Sequence, residues 1–173
     1  MNKTCENCPT RLLNENEVIS NNIGNICSKV LYVFPRYDEE AIKDLKEIYS
    51  LATGKNFEEE CYLTYAVRCN TSSKYNCWDD AVVKCSHLFF KDWVNTPYKH
   101  TILFGDAYKL FFRDKPDFTH HRINICGINR SIHLYDSLGI KHYNADKYKV
   151  ETNRFWSNWF VTAGGGGLIF FGD

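Results

Sequence analysis

The sequence predicts an α/β fold: a three-layer α/β/α sandwich around a mainly parallel central sheet. Three observations carry that expectation. The first is a set of short, continuously apolar runs, "KVLYVF", "CYLTYAVR" and "HTILFG", the pattern of strands buried on both faces. The second is the helical stretch that separates each run from the next, as parallel strands require. The third is a length of 173 residues, enough for one domain to bury a core without staples.

Taken in order, 29–34 is β-branched and aromatic and is stopped by Pro35, hence a strand. The stretch 38–54 places Ala41, Leu45, Ile48, Tyr49 and Ala52 at helical spacing, with acidic residues leading and Gly54 closing. A second strand occupies 61–68. Next, 77–94 reads as a helix carrying Val82, Cys85, Leu88 and Phe89 on one side. The third strand is 100–105, and a helix is expected to begin at Asp106, directly after Gly105. Residues 121–135 read as two short strands around Gly127, with a turn at Asn129–Arg130. A last helix is expected over 146–160. Residues 1–163 form the expected single domain, opened by a Cys-x-x-Cys turn; 164–173 follow as a glycine-rich hinge and an apolar tail. Four consecutive glycines there lack the strand-before, helix-after context of a phosphate loop.

Charge is balanced, 21 basic against 21 acidic side chains, so no overall basic excess marks a nucleic-acid partner, though local patches remain compatible with one. No apolar run approaches the ~20 residues that span a bilayer, and the first residues lack an apolar secretion core. The expectation is a soluble protein of the cytoplasm (the host cytoplasm for a viral protein) with no membrane partner.

Eight cysteines sit at positions 5, 8, 27, 61, 69, 77, 85 and 126. In a reducing compartment that number argues for metal ligation or buried thiols over disulfides. Cys27, Cys61 and Cys126 read as small core hydrophobes. Cys77 is a spare or a substitute ligand. Cys5 and Cys8 on one tight turn suit a shared metal, and Cys69 and Cys85 add two dispersed thiols, one after a strand and one inside a helix. A zinc ribbon closes with a second short-spaced pair, so zinc is the lesser alternative. Four dispersed thiolates suit a [4Fe-4S] cluster.

This order resembles that of the iron–sulfur uracil-DNA glycosylases, family 4 and its relatives: Cys-x-x-Cys, strand, helix, a strand ending on cysteine, a cysteine in the next helix, then a strand ending Leu-Phe-Gly before an alanine-containing helix. The residues that carry the match are Leu63-Thr64-Tyr65-Ala66-Val67-Arg68-Cys69 and Ile102-Leu103-Phe104-Gly105-Asp106-Ala107, within 5–160. The resemblance implies that fold, a cluster held by Cys5, Cys8, Cys69 and Cys85, and a base pocket at Phe34, Tyr65 and His133.

The departures fall on that pocket. The family's first strand opens into a Gly-Glu-x-Pro-Gly loop with an assisting acid; here it runs into Phe34-Pro35-Arg36-Tyr37-Asp38. Asp38 is the substitute acid, or simply a helix N-cap. Phe34 is a stacking surface for a base, or a buried strand end. The family's uracil-reading asparagine is Tyr65 here, which lacks an amide's paired donor and acceptor. His133 stands near the family's histidine but is followed by leucine, not proline.

Loop, acid and amide thus change together, and the expectation is a glycosylase-like DNA-binding or replication/repair accessory protein with lost or altered base excision. An active glycosylase using His133 with Asp38 or Asp136 is the alternative. Another is an interaction subunit of a larger complex, docking through Phe155, Trp156, Trp159, Phe160 and the apolar tail. Expected contacts to a DNA backbone are Arg36, Lys74, Arg130, Lys141, His142 and Lys147.

Overall fold

The computed structural model describes residue 8 and residues 21–69, 78–117, 119–125 and 127–135. The expected last helix, the glycine-rich tail, Cys5, Cys77, Lys74, Asp136, Lys141, His142 and Lys147 lie outside these residues, and so does the placement of Cys126.

The described chain is an α/β fold with a six-stranded mixed sheet. Its strands are β1 (Ile23–Gly24), β2 (Val30–Phe34), β3 (Tyr62–Tyr65), β4 (His100–Phe104), β5 (His120–Ile125) and β6 (Ile128–Tyr135). Its helices are α1 (Glu39–Thr53), the single turn α2 (Phe57–Glu60) and α3 (Trp78–Asn95), with a 3-10 stretch over Gly105–Leu110. Spatial order is β1-β3-β2-β4-β6-β5. The three runs read as strands lie side by side: β2 pairs with β3 and β4 in parallel, and β4 pairs with β6 in parallel. Both edges are antiparallel, β1 on β3 and β5 on β6, so the sheet is mixed.

Sequence alternation on β2 divides the core. Leu31 and Val33 face a cluster built with Ala81, Val82, Cys85, Phe89 and Trp93 of α3. Tyr32 and Phe34 face a second cluster built with Ile42, Leu45, Ile48 and Tyr49 of α1. The two long helices therefore cover opposite faces. That follows from right-handed crossovers, because the chain steps from β2 to β3 in one direction and from β3 back past β2 to β4 in the other.

α1 begins where its sequence predicts. Asp38 caps it, accepting the Ala41 N–H at 3.0 Å, and Gly54 closes it at φ 69°. α3 ends differently. Its last turn has no basic residue of its own; Arg130 of β6 donates instead to the carbonyls of Trp93, Val94 and Thr96. A cation at a helix C-terminus also meets the negative end of its dipole.

Several expectations need correcting. Residues after Gly105 form a 3-10 stretch, not an α-helix. β5 ends at Ile125 and β6 begins at Ile128, so Asn129 and Arg130 lie inside β6 rather than in a turn. Arg130 is buried and spent on α3, which removes it from any phosphate-contacting face. Cys27 is exposed rather than a core residue, whereas Cys61 is buried as expected. No helix among the described residues is long and apolar enough to cross a membrane.

Candidate functional site

In an open α/β sheet, ligands bind beyond the carboxyl ends of the strands, where the strand order reverses. Here that point lies between β2 and β4. The last residues of the four parallel strands are Tyr65 (β3), Phe34 (β2), Phe104 (β4) and Tyr135 (β6), in spatial order. All four are aromatic. Phe34, Tyr65 and Phe104 are buried in the α1-side cluster and Tyr135 packs against it.

The row is continuous. Phe34 stands in register with Tyr65 and Phe104 with Tyr135. Across the reversal point the Phe34 and Phe104 rings meet edge to face at 5.2 Å, and Phe104 lies 6.2 Å from Tyr135. Tyr37, beyond the end of β2, closes over Tyr65 at 5.9 Å. Edge-to-face contacts at these separations are favourable, so the rings are a packed layer. Burial, then the neighbouring Tyr37, pushes the Tyr65 phenol up to about 12, and burial pushes Tyr135 up to about 12. Both stay neutral. The Tyr65 hydroxyl is buried with no hydrogen-bond partner among the described residues.

The other residues expected at the site are dispersed. Asp38 is exposed, with Oδ1 engaged as the α1 cap. Glu39 and Glu40 follow it in the first turn, so this helix end repels anions. Arg36 is half-buried. His133 pairs with Ile102, two residues short of the Phe104–Tyr135 pair, which sets it roughly 6–7 Å back from the strand ends. It is buried among histidines: the His120 ring stacks on it at 4.7 Å and His100 lies 5.8 Å away. Burial, then His120 and His100, holds the His133 imidazole down at about 3; burial first holds His100 at about 4. His133 is therefore neutral near pH 7.

Phe104, Tyr135 and the His100–His120 neighbours of His133 were missed by sequence reasoning. A signal existed for the aromatic row: each parallel strand's last residue is a Phe or Tyr. Nothing local marks the histidines, which meet only through strand pairing.

The thiols divide between places. Cys69, just beyond β3, and Cys85, on α3, both join the α3-side cluster, and Cys8 is buried. Among the described residues, no three His, Cys, Asp or Glu side chains form a group able to hold a metal ion. As donors, soft thiolates suit zinc and iron–sulfur clusters alike; Arg68, the residue before Cys69, keeps a buried Nε–H without a partner among the described residues. On the same face, a cavity of about 10 Å³ between β3 and α3 is lined by Leu31, Tyr62, Arg68, Phe89, Asp92 and Trp93, among others. That is the size of one water, far below a nucleobase.

No family model matches the chain, and no curated protein matches it.

Proposed function

We propose that this chain is an iron–sulfur uracil-DNA glycosylase-like protein that binds DNA as a replication or repair accessory and does not excise uracil efficiently. The observation that carries this reading is the aromatic row Tyr65–Phe34–Phe104–Tyr135 across the carboxyl edge of the parallel strands. An excising enzyme must receive a flipped base there and read its edge with a donor and an acceptor. On this reading the buried rings stand where the amide would be, and phenyl and phenol groups offer no paired donor and acceptor. A three-layer α/β/α architecture of the glycosylase kind accords with helices on both sheet faces. DNA contact in this reading is made through the backbone, which needs no base pocket.

Titrating the protein against fluorescent single- and double-stranded oligonucleotides tests the binding half. Equal affinity with and without uracil, falling steeply as salt rises, is the expected result; no salt-dependent binding would remove DNA from the reading and leave a protein partner.

The cluster half is tested by composition. Cys5, Cys8, Cys69 and Cys85 would hold a [4Fe-4S] cluster, which joins the N-terminal turn to the end of β3 and to α3. Protein purified without oxygen should be brown, with about four irons per chain. Cys69→Ser and Cys85→Ser should each lose most of that iron. Colourless wild-type protein holding one zinc would replace iron with zinc at the same thiols.

A further inference from the structure

The residue before Cys69 is tied to the helix that carries Cys85. Arg68 Nη2 donates to Asp92 Oδ2 at 2.7 Å, with the Arg68 side chain 18 % exposed and Asp92 42 % exposed. Asp92 lies seven residues beyond Cys85 on α3, so the two share one face of the helix, two turns apart. Phe89, between them on that face, lines the same small cavity as Arg68 and Asp92. Cys85 and Phe89 are buried in one cluster, against which Cys69 packs. Other ion pairs among the described residues run elsewhere, from Lys46 to Glu58, Lys55 to Glu60 and Lys109 to Asp79.

We propose that the Arg68–Asp92 pair is the positioning device of the thiol site, holding the end of β3 on α3 so that Cys69 and Cys85 are presented to one metal. The inference rests on the four-thiol reading above and adds residues to it. Two features set Arg68 apart from an ordinary surface cation. Its guanidinium bonds Asp92 through one nitrogen while its buried Nε–H has no partner among the described residues, an arrangement costly to keep. In sequence it also directly precedes Cys69, which as a ligand must be a thiolate, and a cation near a thiol favours the thiolate form. A cluster bound by four thiolates carries net negative charge, so removing this cation should lower its reduction potential.

The test compares wild type, Arg68→Gln, Arg68→Lys and Asp92→Asn, each purified anaerobically as full-length chain. Iron release to a chelator, the reduction potential and the far-ultraviolet circular dichroism are measured on all four. Expected are about tenfold faster release in Arg68→Gln and Asp92→Asn, the lower end of what outer-shell partners contribute, with unchanged dichroism. Arg68→Lys should recover most of the retention and the wild-type potential, whereas Arg68→Gln should sit lower. A purely structural ion pair would leave the potential of Arg68→Gln where it was, and that result would overturn the proposal. Wild-type release rates in both charge-removing variants would overturn it too while leaving the thiol site standing. Wild-type protein without any metal would overturn the thiol site and this inference together.

Discussion

Trp93→Ala should cost about 4–6 kcal/mol, a large share of the roughly 5–15 kcal/mol that native domains hold. Trp93 is fully buried, meets Phe90 and Phe111 at 6.0 and 5.1 Å, and lies under the Arg130 guanidinium at 4.5 Å. Truncating a buried Trp typically costs about 3–5 kcal/mol through lost contacts and the cavity left behind. Its Nε1–H also donates to the buried Thr101 hydroxyl at 2.8 Å, and stranding that hydroxyl adds about 1 kcal/mol or more. Trp93→Phe keeps most of the volume and should cost about half as much. Urea titration at neutral pH checks both; equal midpoints for wild type and Trp93→Ala would show that α3 is not anchored through this ring.

Acid should destabilise the protein earlier than its carboxylates alone would. His133 is held down at about 3 and His100 at about 4, against 6.5 in an unfolded chain. Below about 6.5 the unfolded state therefore binds more protons, and stability falls as pH drops. His100's share levels off near pH 4 and His133's near pH 3. Between pH 7 and pH 4.5 the loss should be about 2–3 kcal/mol, mostly from His133; His100 is partly solvated and counts for less. His120 of β5 stacks on His133 and adds positive charge on that side when protonated, and Arg122 on the same strand is a permanent charge that holds the His120 imidazole down after burial does. Urea midpoints at pH 7, 5.5 and 4.5 should converge in His133→Leu and diverge in wild type. Parallel acid losses in the two proteins would place the sensitivity elsewhere.

The central strands and the two long helices were legible because their signals are local. "VLYVF" needs no partner to read as a strand, and Asp38 and Gly54 bracket α1 with side-chain and backbone chemistry of their own. β1 was not legible. Two residues make no pattern, and the strand exists because Gly24, at φ 92°, lets the backbone approach the Cys61 carbonyl more closely than any side chain would allow. α2 is a single turn capped by Asn56, too short for periodicity to register. Arg130 looked like a surface cation because its partners, the α3 carbonyls, lie more than thirty positions away in sequence. Phe34 was recognised as a strand-end residue, whereas Tyr65 was read inside a strand over 61–68 that in fact stops at Tyr65; only the register of β2, β3, β4 and β6 turns four separate aromatics into one row.

That row makes the most direct test a chemical one. Flipping a base out of DNA costs a few kcal/mol, recovered in an excising enzyme by contacts inside its pocket. On the proposed reading Tyr65, Phe34, Phe104 and Tyr135 stand in place of those contacts, and Tyr65→Asn alone would supply neither the glycosylases' loop nor its acid. Purified protein with its metal retained should be incubated with uracil-containing single- and double-stranded DNA, and abasic sites counted after alkaline cleavage. The account predicts no release above background for wild type and for Tyr65→Asn. Uracil release by wild type that disappears in His133→Ala would contradict it and make the chain an active glycosylase.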